Sequence, residues 1–237
     1  MHHRQHTGPI KGTGQGDAER IQRRSFLKFA GMTALAAAAF GVDVPGLGLG
    51  KAFAQAGAVD LGAGDIGILN YAYALEQLEA AFYSQVIRSP YDGMSRHEYL
   101  LLKDIRDHEI SHRAFFAKAL GRKRIPDLEP NFNAVNFSSR HSVLTTASTF
   151  EDLGVSAYNG GGAAIRHPAY LAAAGSIVSV EARHAATLRD LISPLTPSFA
   201  GWDVVDWKGL DVARAPSQVL PKAAPFIATS VTASRLP

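Results

Sequence analysis

The 237 residues contain no cysteine. That absence excludes disulfides, thiolate zinc sites, iron–sulfur clusters and rubredoxin-type centres. Strand-like alternation of any length is also missing, and so is a dense stripe of Lys and Arg. The one compact basic cluster, Arg122-Lys123-Arg124, sits between Gly121 and Pro126, where a solvated helix end belongs. No nucleic-acid footprint follows from it. Long apolar runs are lacking too: the uncharged stretch from Phe29 to Val42 falls short of the roughly 20 residues a spanning helix takes.

What is present begins near the N-terminus. Gln22 to Phe40 places Arg23-Arg24 ahead of Phe26-Leu27-Lys28, then a run of Ala, Leu, Gly and Phe. This is the layout of a twin-arginine export signal. An A-x-A pattern at Ala52-Phe53-Ala54 predicts cleavage that leaves Gln55 first, while Gly and Pro between Gly41 and Gly50 argue against an uncleaved anchor. The expected destination is the periplasm or cell envelope, with the twin-arginine export machinery as a partner. Residues 1–54 hold 7 of the 24 basic and 3 of the 21 acidic residues, so the rest carries 17 against 18, a net of −1. The basic character of the whole chain belongs to the signal.

Beyond it, four helical patterns fill the chain. Asp65 to about Ile87 keeps apolar residues at helical spacing, with Asp65 placed to cap it. Ser95 with Glu98 three residues on forms a capping box for a second helix running to Gly121. Arg122 to Arg140, with Pro126 and Pro130, reads as a long crossover. A third helix covers Val143 to about Asn159, where Gly160-Gly161-Gly162 interrupts or ends it. The fourth starts at Pro168 and stops before Pro194. The expected organisation is a signal over 1–54, a four-helix bundle over 60–194, and a C-terminal extension over 195–237. That extension is expected to pack over the bundle with Trp202, Trp207 and Phe226 covered, and to fray from about Ala228. The fold class is all-α, a bundle with a long connection between helices two and three.

The chemistry lies in an internal repeat. Glu109 and His112 form E-x-x-H on the second helix, and Glu181 and His184 form it again on the fourth. Residues three apart share a helix face. The first and third helices match as well: in "ALEQLEAAFY" and "TFEDLGVSAY", Glu76 aligns with Glu151, Leu78 with Leu153 and Tyr83 with Tyr158. Glu76 and Glu109 are 33 residues apart, Glu151 and Glu181 are 30 apart. Two hairpins related by a pseudo-two-fold axis would aim four carboxylates and two imidazoles inward, the donor set of a di-iron or di-manganese carboxylate centre. Four negative charges balance two divalent cations, and hard oxygens suit Fe and Mn.

His108 completes H-E-x-x-H, a zinc-protease signature in which Glu109 would be a general base. The second motif, Val180-Glu181-Ala182-Arg183-His184, has no His at that position, and "RAFFAKALG" supplies no third ligand after His112. The repeated unit is therefore E-x-x-H, and His108 is expected either to pair with Asp104 on an outer face or to support a ligand from behind. Glu79 shares a face with Glu76 but aligns with Gly154, so it is expected behind the ligands rather than among them. Tyr83 and Tyr158 lie two helical turns beyond their glutamates, placed to pack or to bond a ligand carboxylate.

"LNYAYALEQLEAAFY", "DHEISH" and "VEARHAATL" resemble the ferritin-like superfamily, in particular exported bacterial ferritin-like domain proteins of the desiccation-related type. The likeness spans roughly Asp65 to Ser193, with "APFI" at 224–227 in the same style. It implies that Glu109 and Glu181 bridge two metals, with Glu76, Glu151, His112 and His184 as terminal ligands. It implies no catalytic residue beyond the metal ligands, two Fe ions with Mn as the alternative, and Fe(II), O2 or peroxide as reactants. Homo-oligomerisation is compatible with it, and nucleic acid is not a partner. The expected function is iron oxidation or peroxide and oxygen handling under stress. The alternative is a non-enzymatic protein that sequesters metal or protects the envelope during desiccation.

Overall fold

The protein is described by a computed structural model covering residues 57–237. The twin-arginine stretch and the expected cleavage site lie outside the described residues. Four long helices build the fold: α1 (Gly64–Arg88), α2 (Arg96–Leu120), α3 (Arg140–Gly162) and α4 (Pro168–Ile192). A short α5 (Pro216–Ala223) follows, and the strands β1 (Val59–Asp60) and β2 (Val231–Thr232) pair in parallel. The helices form two hairpins, α1 with α2 and α3 with α4, joined by the long connection from Gly121 to Ser139. Among the described residues no helix is long and apolar enough to cross a membrane.

Local chemistry sets the ends. Ser95 accepts from the Glu98 N–H at 3.1 Å, and the Glu98 carboxylate accepts from the Ser95 N–H at 3.0 Å, so the capping box forms. Arg140 adds a bond to Glu98 at 2.6 Å and one to the Leu191 carbonyl at 2.8 Å, tying three helix ends together. Asp65 does not cap α1. Its carboxylate accepts from the N–H groups of Arg166 and His167, and so ties the start of α1 to the turn before α4. The glycine run is itself helical, and α3 ends on its last residue, Gly162. A Cβ at Gly160 would fall 2.0 Å from the Arg214 carbonyl oxygen, so the bare backbone is what lets the returning tail lie against the helix.

The crossover is anchored by side-chain amides pointing outward from α1. Asn70 donates to the Leu61 and Lys123 carbonyls and accepts from the Ile125 N–H, while Gln77 accepts from Leu128 at 2.7 Å. Aromatic rings fill one end of the core: Phe82 packs edge-on against Tyr83, Phe132 and Phe150 at 5.1–5.6 Å between centroids. Phe82→Ala should lower stability by about 3–5 kcal/mol, since it empties a fully buried site shared by α1, α3 and the crossover. Chemical denaturation checks this, and a loss under ~1 kcal/mol would mean the cluster does not join them.

The C-terminal segment corrects two expectations. Trp202 and Trp207 are 84 % and 79 % exposed rather than packed over the helices. They sit in a turn-rich stretch held by its own polar contacts, Asp206 accepting from Lys208 and Leu210, and tied to α4 through Asp203 bound to Arg189. The cover is supplied by Val219, Ala223 and Phe226 instead, the last 4.8 Å from Phe150. The end does not fray: Val231 and Thr232 pair with Val59 and Asp60, and Arg235 binds Asp60 at 2.7 Å.

Candidate metal centre

Every residue of the repeat meets in the middle of the bundle. Glu76 comes from α1, Glu109 and His112 from α2, Glu151 from α3, and Glu181 and His184 from α4. The four carboxylates and His184 are buried, and the His112 side chain is 12 % exposed. Their donor atoms fall into two groups, Glu76, Glu109, His112 and Glu181 in one, and Glu109, Glu151, Glu181 and His184 in the other. Within each group the atoms lie within 4.8 Å of one another. Glu109 and Glu181 belong to both, the placement a bridging carboxylate requires.

The histidines face inward through Nδ1. In His112 this atom is 2.8 Å from Glu181 Oε1 and 3.5 Å from both Glu76 and Glu109. In His184 it is 2.9 Å from Glu109 Oε1, 3.2 Å from Glu181 and 3.4 Å from Glu151. Short as these are, most are not aligned as hydrogen bonds. Both oxygens of Glu109, Oε2 of Glu76 and Glu151, Oε1 of Glu181 and Nδ1 of His112 are buried with no hydrogen-bond partner. Buried polar atoms are normally paired, and leaving one unpaired costs about 1–3 kcal/mol. Unpaired lone pairs that converge from four helices fit cations placed between them. The donors, carboxylate oxygen and imidazole nitrogen, are of the kind that Fe and Mn take.

Without cations the charge balance is strained. Burial pushes Glu151 up to about 8, and it also holds Glu76 well above the carboxylate range, with Glu181 adding to it. Burial acts the same way on Glu181, but His112 and His184 outweigh it and bring that carboxyl down to about 2. Burial would lower His184, yet Glu109 and Glu151 raise it to about 12, and His112 is raised likewise. In the absence of metal, protons on the imidazoles and on some carboxyls would balance the charge that divalent cations otherwise balance.

Tyr83 and Tyr158 are exchanged between the halves. The Tyr83 hydroxyl of α1 donates to Glu151 of α3 at 2.6 Å, and the Tyr158 hydroxyl of α3 donates to Glu76 of α1. Seven residues forward on one helix reaches the glutamate of the other, so α1 and α3 run antiparallel across the centre. Each hydroxyl occupies one oxygen of its glutamate and leaves the other without a hydrogen-bond partner.

Glu79 is 3 % exposed and lies outside both donor groups. A Cβ at Gly154 would stand 3.2 Å from Glu79 Oε1, so the glycine that aligns with Glu79 in the other half is what makes room for this fifth carboxylate. Burial, then Glu151 and Glu109, holds that carboxyl well above its usual range. His108 does not pair with Asp104. Its Nδ1 is 2.9 Å from Nε2 of His184, and the two rings stack at 5.1 Å. It thus meets the far nitrogen of His184 and is absent from both donor groups, whereas a zinc-protease site would need it on one ion with His112.

A family model described as a ferritin-like domain matches residues 64–194, more than half of the chain. No curated protein sequence matches it.

Proposed function

The chain belongs to the ferritin-like domain family, and from the site it carries we propose a dinuclear iron centre, with manganese as the alternative, that oxidises Fe(II) with O2 or peroxide. The observation that supports this is the pair of donor groups sharing Glu109 and Glu181, with their buried oxygens unpaired. In the same reading, Arg23-Arg24 and the run after them direct export through the twin-arginine machinery to the cell envelope.

When bound, the two ions supply two electrons, which with two protons convert O2 to hydrogen peroxide or peroxide to two waters. The chain's share is geometry, charge and protons. Glu109 and Glu181, which belong to both donor groups, would hold both ions, and Glu76 and Glu151 would each bind one through the oxygen their tyrosine leaves open. A cation held at Nδ1 would leave the His184 proton on Nε2, where it would be donated to His108 Nδ1 and fix the ring plane. His108 is part-exposed, so this pair is the polar link from the buried centre toward solvent.

The purified protein, loaded anaerobically and freed of excess metal, should hold about two Fe(II) per chain, and the Fe(III) absorption should rise within seconds of adding O2 or peroxide. Two bound ions that stay reduced would favour sequestration without turnover. A protein that takes up neither Fe(II) nor Mn(II) would defeat both readings.

A further inference from the structure

A cavity of about 20 Å³ lies beside the centre, lined among others by Ala72, Leu75, Phe116, Tyr158 and Ala174. These positions are related to the ligands by helical turns. Ala72 is four residues before Glu76, Phe116 four after His112, Tyr158 seven after Glu151, and Ala174 seven before Glu181. Given their directions, all lie toward the same end of the bundle, roughly 6–10 Å along the axis from the donors. Tyr158 is wall and link at once, since its hydroxyl holds Glu76. Outward, the lining reaches Gly162 at the end of α3 and Ile165 in the turn before α4, both part-exposed.

The lining selects its occupant. Side chains and glycines around the void are apolar except for two phenols. Tyr158 is committed to Glu76, and the Tyr71 hydroxyl is buried with no partner. A void needs about 10–15 Å³ to admit a water, and a buried water takes two to four polar partners. This one has the volume for a small molecule and a single free donor. Water and hydrogen peroxide, each needing several hydrogen bonds, are poorly served; an apolar diatomic that accepts at most one weak bond is well served. The opposite end of the bundle shows that the void is not a by-product of the repeat. There, beside Tyr83, the space is filled by Phe82, Phe132, Phe137 and Phe150.

We infer that this cavity is the entry and holding site for dioxygen, reached through the α3–α4 turn, with the Tyr71 hydroxyl as its one polar contact. The inference rests on the oxidation reading above and narrows it: O2 is the oxidant, and it approaches along the dry side of Tyr158 while protons use the polar side at His108.

The test has two arms. Crystals of the protein pressurised with xenon, a probe for dry cavities, should show an atom against Tyr71 and Phe116, and none in Ala174→Leu. In the Fe(II)-loaded protein, Ala174→Leu should slow oxidation by O2 about tenfold by removing the pre-held oxidant, with the rate for hydrogen peroxide unchanged. Gly161→Ala is the gentler filling variant, because its Cβ would meet Ile68 at 3.4 Å in ordinary contact; it should show the same selectivity at smaller size. No xenon in the cavity overturns the inference, and so does filling that slows both oxidants alike or neither. Failure of the metal reading shows separately, as wild-type protein that binds no iron.

Discussion

Glu109→Gln should reduce bound metal from about two ions per chain to one or none, and should erase most of the thermal stabilisation that metal confers. Glu109 belongs to both donor groups and contributes two buried oxygens, neither of them hydrogen-bonded. The amide keeps the volume but offers one neutral oxygen in place of a shared carboxylate, so both ions lose a ligand through one substitution. At metal concentrations a hundredfold above Kd, each site stabilises the fold by about 2.7 kcal/mol, so two sites give about 5. For a domain of this size each kcal/mol moves Tm by ~2–4 °C, so loading with Mn(II) should raise the wild-type Tm by about 10–20 °C. The variant's gain should be less than half of that. Metal-free Glu109→Gln should melt somewhat below metal-free wild type, because the carboxylate that faces His184 Nδ1 at 2.9 Å and His112 Nδ1 at 3.5 Å has been neutralised, so each protein's metal-induced gain is taken from its own metal-free melt. That comparison separates lost metal from lost fold. Metal analysis after gel filtration, with thermal melts of both forms, checks it; two ions per chain and a wild-type Tm gain would sink the bridging role.

Glu181→Gln should behave in the same way, while loss at Glu76 or Glu151 should be milder, since each belongs to one group. The distinction was legible in the sequence only as far as helical spacing reaches. E-x-x-H is a statement about one turn of one helix, and its recurrence places two such turns in equivalent positions. The tyrosine exchange was out of reach, since it depends on the antiparallel register of α1 against α3, and spacing within a helix does not encode the register between helices. Glu79 and Gly154 appeared as a mismatch in the repeat; that the glycine vacates space for the carboxylate is a contact across the core. His108 offered two readings. Its i,i−4 relation to Asp104 is local and visible, while its place 2.9 Å from Nε2 of His184 is a contact between helices.

Elsewhere the failures share a cause. Asp65 looks like a cap and binds the turn before α4; the glycines at 160–162 look like a break and accommodate the tail at Arg214. In both cases local preference was overruled by a tertiary partner more than fifty residues away. The tryptophans erred in the opposite sense. Burial was expected from their size, but a stretch this rich in turns satisfies backbone N–H groups with Asp206, is tied to Arg189 of α4 through Asp203, and leaves the rings outside. Helix identity, the crossover and the fold class survive because they rest on long periodic segments, where many weak local preferences agree.

Raising the pH from 5.5 to 8 should lower the Tm of the metal-free protein and raise that of the loaded one. In the metal-free state the relevant folded values lie above the unfolded ones. Burial lifts Glu151 to about 8 and holds Glu76 and Glu79 up as well, against about 4.3 for an unfolded Glu. His184, raised to about 12 by its carboxylates, and His112 stand above the unfolded value of about 6.5. A group raised on folding contributes stability that is complete below its unfolded pKa and is lost as pH rises through the folded one. For the glutamates the loss starts above about pH 4.3, and for the histidines above about 6.5. Glu181, brought down to about 2, acts in the opposite direction, but its contribution changes only below about pH 4.3, outside the range. In the loaded protein the ions require those protons to leave. At neutral pH at least two do so on binding, from Glu151 and His184, so apparent Mn(II) affinity should rise about a hundredfold per pH unit. Titration calorimetry in buffers of different ionisation enthalpy counts the protons directly, and melts of both forms across the range give the two slopes. Affinity independent of pH, or a metal-free protein that grows more stable toward pH 8, would mean that the carboxylates and imidazoles do not hold protons in the absence of metal.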